Sequence, residues 1–153
     1  MKPKGFELSI VMQRLVYTSL GLLLLSGCAW LVLHYFFMQE TDFATIPSQY
    51  EAISLQVHGA AVQIFLIVLG SIFPTHIIRA IKARCNLTSG IIVLTFIFAL
   101  IISGYVLYYS NNESLRAMVS TTHWALGLVI PFVMFFHIVK GKKVIANCNC
   151  AKL

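Results

Sequence analysis

Charged and strongly polar residues collect at the edges of four long apolar runs, about Leu15–Met38, Ile53–Ile78, Ile91–Tyr109 and Met118–Val139. A helix that crosses a bilayer needs roughly 20 mostly apolar residues, so each run predicts one transmembrane helix. Gln39 to Pro47 reads as a loop, and Ser48-Gln49-Tyr50-Glu51 as a capping box that starts the second helix before it enters the apolar layer. Lys82-Ala83-Arg84-Cys85-Asn86 is a short turn, and Asn111-Asn112 breaks the chain before a polar first turn of the last helix. Short connections predict one all-α domain over 1–153, an integral membrane four-helix bundle in up-down-up-down order.

Composition supports that reading. The 153 residues are 59% hydrophobic and only 10% charged, against about 25% charged in an ordinary soluble domain. Disorder, which needs low hydrophobicity, is excluded, and four cysteines do not make a disulfide scaffold. The net charge of +6 raises nucleic acid as a partner, but its distribution argues otherwise. Lys2, Lys4, Arg14, Arg79, Lys82, Arg84, Lys140, Lys142, Lys143 and Lys152 all fall on one side of a four-span chain. Arg116 alone lies opposite, with Glu40, Asp42, Glu51 and Glu113. Excess Lys and Arg mark the cytoplasmic side, so both termini are expected there.

Leu25-Ser26-Gly27-Cys28 follows a basic start and an apolar run, as the cleavage motif of a lipoprotein signal would. The apolar run continues through Ala29-Trp30-Leu31-Val32-Leu33, however, and exceeds the roughly 7–15 residues of a signal core. An uncleaved first span is expected, with Ser26-Gly27 as small residues at a helix–helix contact. Ser103-Gly104-Tyr105 echoes the pair in span three, a weak internal repeat.

Ionisable groups inside a membrane are costly and mark function. His58 and His76 lie at the two ends of span two, and His123 and His137 at the two ends of span four. At about 100° and 1.5 Å per residue, His58 to His76 is five whole turns, a rise of roughly 27 Å. His123 to His137 falls about 40° short of four turns and rises roughly 21 Å. Each helix then keeps its imidazoles on one stripe. Two facing stripes give an outer pair, His58 and His123, and an inner pair, His76 and His137. Two b-type haems need that arrangement, an imidazole on each side of each iron. The rises differ by about 6 Å, which Pro74 and Pro131 would have to absorb by kinking their helices.

Haem propionates need cationic partners. Arg79 and Lys140 each follow an inner histidine by three residues, and Arg116 precedes His123 by seven. All three are candidate propionate partners, with topological anchoring an equal alternative for Arg79 and Lys140. Gly59, Gly70, Gly104 and Gly127 offer room for a porphyrin face or for close helix packing. His34 has no partner of matching phase and reads as an interfacial or substrate-site residue. Gln56, Gln63, Tyr105 and Tyr108 are candidate quinone contacts, although an aromatic belt explains the tyrosines equally. Cys148 and Cys150, with Cys85, read as reduced thiols.

The pattern resembles the small transmembrane di-haem cytochromes b, among them the bacterial cytochrome b561 group and the cytochrome b subunits of formate dehydrogenases and nickel-iron hydrogenases. The likeness covers the whole chain in architecture. It is most specific in His123-Trp124-Ala125-Leu126-Gly127 through His137, whose 14-residue ligand gap looks like theirs. Several of those families take an inner ligand from the start of span one, where this chain has Gln13-Arg14-Leu15; His76 would substitute for it. The resemblance implies electron transfer linked to quinone. With no glycine-rich nucleotide motif, a redox partner protein is expected to exchange the electrons. The alternatives are a haem-free interaction or assembly protein and a stand-alone quinol-dependent reductase acting at the outer face.

Overall fold

The computed structural model describes residues 8–40, 45–84 and 86–147. The described residues are helical almost throughout. Helix α1 spans Ile10–Phe36, α2 Gln49–Ile72, α3 Ile78–Ala83, α4 Leu87–Tyr109 and α5 Glu113–Asn147. A π-helical segment, Phe73–Ile77, joins α2 to α3. Four helical stretches are long and apolar enough to cross a membrane: Ile10–Phe36, Gln49–Ala83, Leu87–Tyr109 and Glu113–Val144. Each overlaps one of the four apolar runs; the first ends at Phe36, two residues before the expected Met38, and the second and fourth extend beyond their runs at both ends. Lys2, Lys4, Asp42, Cys85, Cys148, Cys150 and Lys152 lie outside the described residues.

The chain divides into two units, 8–74 and 75–147 among the described residues, each built on a helical hairpin. In the first, α1 packs against α2. Ser9 starts α1 by accepting from the Met12 N–H at 3.3 Å. Gln39–Glu40 (β1) and Thr45–Ile46 (β2) form a two-residue antiparallel ladder between the helices, a local pairing within the stretch that the sequence marks as loop. Small residues line the helix contact: Ser19, Ser26, Ser54 and Ala61 are buried. Val16, Val68 and Ile72 form a compact apolar cluster with Leu8, Met12, Leu20 and Leu69. Small side chains let helix backbones approach, which matters in lipid because apolar burial alone drives no association there.

Ser48 caps α2, its hydroxyl accepting from the Tyr50 N–H at 3.3 Å. Glu51 does not complete the expected capping box. Its carboxylate turns to His34 on α1, with Oε1 2.9 Å from Nδ1.

In the second unit α4 packs against α5. The turn before α4 holds Arg84 and Asn86 in the left-handed region, with φ of 51° and 50°. Asn adopts that conformation more readily than most residues. Asn86 then ties the start of α4 to α5 by donating from Nδ2 to the His137 carbonyl at 3.2 Å. Asn112 starts α5, its Oδ1 accepting from the Leu115 N–H at 3.0 Å and from Ser114 Oγ at 2.7 Å. Pro131 sits inside α5, which stays α-helical on both sides of it.

Both hairpins turn large apolar side chains outward, among them Leu25, Ile67, Ile102, Phe132 and Phe136. That exposure suits hydrocarbon and not water.

Candidate functional site

Three histidines sit in the same local setting, and a serine supplies it each time. On hairpin one, Ser26 Oγ of α1 lies 2.9 Å from His58 Nδ1 of α2. On hairpin two, Ser103 Oγ of α4 lies 2.7 Å from His123 Nδ1 of α5. About four turns further along the same pair, Ser89 Oγ lies 2.9 Å from His137 Nδ1. Ser89 and Ser103 are 14 residues apart, and so are His123 and His137. Antiparallel helices with matched spacing therefore meet at both points along one face, roughly 21 Å apart in rise.

Each serine also has an oxygen of its own chain segment within reach. Ser26 is 2.7 Å from the Leu22 carbonyl, Ser103 is 3.1 Å from that of Leu100, and Ser89 donates to Asn86 Oδ1 at 2.5 Å. A serine hydroxyl both donates and accepts, so each contact orients its ring, and the direction of the bond depends on the ring's tautomer. With the proton on Nδ1, each ring would be held as metal-ligating histidines are, by a non-ligating N–H donated to an oxygen.

A glycine follows each serine and brings the ring close to the partner helix. A Cβ built at Gly27 would meet His58 Cε1 at 3.5 Å, one at Gly104 would meet His123 Cε1 at 3.5 Å, and one at Gly90 would meet His137 Cε1 at 3.7 Å. These are contact distances, so each ring edge lies one methyl group from the opposite backbone. By contrast, a Cβ at Gly59, Gly70 or Gly127 would meet nothing within 4 Å. Those three glycines are not points of close helix approach, whereas Gly104 is.

His76 lies in the π-helical segment, half-buried, in the same unit as His137 and near enough to interact with it electrostatically. The π segment alters the arithmetic of span two. A π turn closes i to i+5, so the stretch from His58 to His76 is not an unbroken α-helix, and a phase counted at α pitch does not carry across it. No such interruption separates His123 from His137 in α5.

Arg79 in α3, and Arg116 and Lys140 in α5, are exposed, and none makes an ion pair among the described residues. Gln56, Gln63, Tyr105 and Tyr108 are exposed as well. Tyr105 and Tyr108 both pack on Tyr109, with ring centroids 4.5 and 5.0 Å away. Cys28 is a half-buried free thiol. His34 is not isolated. It pairs with Glu51 and stacks on Trp30, centroids 4.7 Å apart.

Among the described residues no group of three or more His, Cys, Asp or Glu side chains could hold a bare metal ion. Haem iron takes only its axial ligands from the protein, so a haem site needs no such group. Comparison with protein-family models, with curated proteins and with solved structures finds no match for the chain. The class that fold and site define is thus a multi-pass helical membrane protein with serine-oriented intramembrane histidines.

Proposed function

We propose that the chain is a b-type cytochrome of the bacterial inner membrane. In this reading it is a four-helix up-down bundle with both termini cytoplasmic, and it relays electrons between a quinone pool and a redox partner. The single observation that carries the reading is the repeated serine–imidazole contact. Three histidines on apolar helices each have Nδ1 within 2.7–2.9 Å of a serine hydroxyl on the partner helix. Such a contact fixes the orientation of the ring, as an axial ligand requires.

His58, His123 and His137 are the ligands best supported, and His76 is the fourth candidate. Haem, when bound, supplies reversible one-electron chemistry at its iron. Everything else falls to the chain. The imidazoles bind through Nε2, Ser26, Ser89 and Ser103 keep the rings from turning, and the apolar helix faces exclude water. Arg79, Lys140 and Arg116 offer uncommitted cations for the propionates.

The test is haem content after replacing each histidine singly with Ala. Loss of absorbance in the variants of His58, His123 and His137 is expected, and two variants that lose the same spectral component identify an axial pair. Full haem content in all of them would end the reading.

A further inference from the structure

Hairpin one carries a file of polar groups from its loop end to His58. On α1 the residues are Ser26, Trp30 and His34, four apart; on α2 they are Glu51, Ser54 and His58, three and four apart. Such spacings place each set on one helix face. At the loop end His34 Nδ1 and Glu51 Oε1 are 2.9 Å apart, and Trp30 stacks on the imidazole at 15° between ring planes. One turn deeper, Ser54 Oγ donates to the Ser26 carbonyl at 3.0 Å. Ser26 Oγ then lies 2.9 Å from His58 Nδ1.

Two features set this file apart from ordinary helix packing. The Glu51 side chain is only 10% exposed, while that of His34 is 36% exposed, so the pair connects a buried carboxyl to the solvent edge. Glu51 Oε2 and Trp30 Nε1 are also buried without a hydrogen-bond partner. A carboxylate so placed is incompletely compensated. Its charge responds strongly to any nearby change of charge, because water does not screen it.

We propose that the His34–Glu51 pair is a proton-binding site linked to the electron occupancy of the cofactor held through His58. This rests on the haem reading above. Glu51 is seven residues from His58, a rise of about 10 Å. When the cofactor gains an electron, the nearby positive charge falls and the pair holds a proton more tightly. The electron comes from the external reductant and the proton from hydronium in the water at His34. One O–H bond of that hydronium breaks, leaving water, as one O–H or N–H bond forms within the pair, and reoxidation returns both particles. The titratable groups on the loop-side halves of the two packed helices are Cys28, His34 and Tyr35 on α1 and Tyr50, Glu51 and His58 on α2. Of these, Glu51 combines burial with an unpaired polar atom.

The experiment is a redox titration of the purified holoprotein between about pH 5 and pH 8, where histidine ordinarily titrates, with redox-difference infrared spectra in parallel. The midpoint potential of the wild-type protein should fall as pH rises. Each tenfold difference in proton affinity between the redox states moves it by about 59 mV. Glu51→Gln should flatten that slope and remove a carboxyl band from the difference spectrum. If Glu51→Gln does not accumulate, His34→Gln should flatten the slope instead. A wild-type potential independent of pH, or variants that keep the wild-type slope, would overturn the proposal and leave the haem reading intact. A protein that binds no haem would overturn both.

Discussion

The Ser103 hydroxyl oxygen lies 2.7 Å from Nδ1 of His123, the shortest of the three serine–imidazole contacts. It joins α4 to the His123 ring of α5 and orients that ring. Replacing Ser103 by Ala should remove the contact and loosen the ring's orientation. Outer-shell partners of this kind are worth about 10- to 100-fold in metal affinity. Haem retention under dilution should fall by that order in Ser103→Ala and recover in Ser103→Thr, which keeps the acceptor. Equal retention in all three proteins would mean that the contact is only packing.

Gly104 tests the same contact sterically. An alanine methyl would touch His123 Cε1 at 3.5 Å without overlap, and replacing a mid-helix glycine by alanine gains roughly 0.5–1 kcal/mol. Gly104→Ala should therefore keep its haem and unfold at equal or higher temperature. Gly104→Leu should displace the ring and lose the haem. Thermal unfolding followed at the haem band separates the two results.

At the other end of α4, Asn86 receives the Ser89 proton at 2.5 Å. Without that acceptor the serine keeps only the Asn86 carbonyl at 3.3 Å, and its contact with His137 Nδ1 loosens. Asn86→Ala should weaken haem retention at the His137 site while leaving the His123 site unchanged. Resolved haem components, or imidazole nitrogen NMR of His137, would show it.

Pro74 lies two residues before His76 in the same π-helical segment. Having no N–H, it cannot donate to the carbonyl four residues before it. Pro74→Ala should let the α-helix run through, moving His76 by about one residue of phase, roughly 100°. If His76 is an axial ligand, the variant loses one haem component and keeps the other. Unchanged spectra would remove His76 from the ligand set.

The four helices were legible because bilayer length leaves a long, uninterrupted apolar signature. The relation of His123 to His137 was legible for a similar reason, since α5 is continuous and helical period is fixed. The span-two arithmetic fails where it does because a proline in a helix can kink it, end it or widen a turn, and sequence does not choose among these. Ser89-Gly90 escaped notice because Ile91 follows it, not the aromatic residue that marks Ser103-Gly104-Tyr105. The signal was the shared interval of 14 residues between Ser89 and Ser103 and between His123 and His137. Glu51 fits a capping box in sequence, but His34 competes for its carboxylate from another helix, and only tertiary structure shows the winner.

The most direct test of the account is a pyridine haemochrome count on the purified protein, with oxidised and dithionite-reduced spectra, after expression with supplied haem. The account predicts b-type haem, two per chain if His76 ligates and one if it does not, with bands that sharpen on reduction. A colourless protein would contradict it.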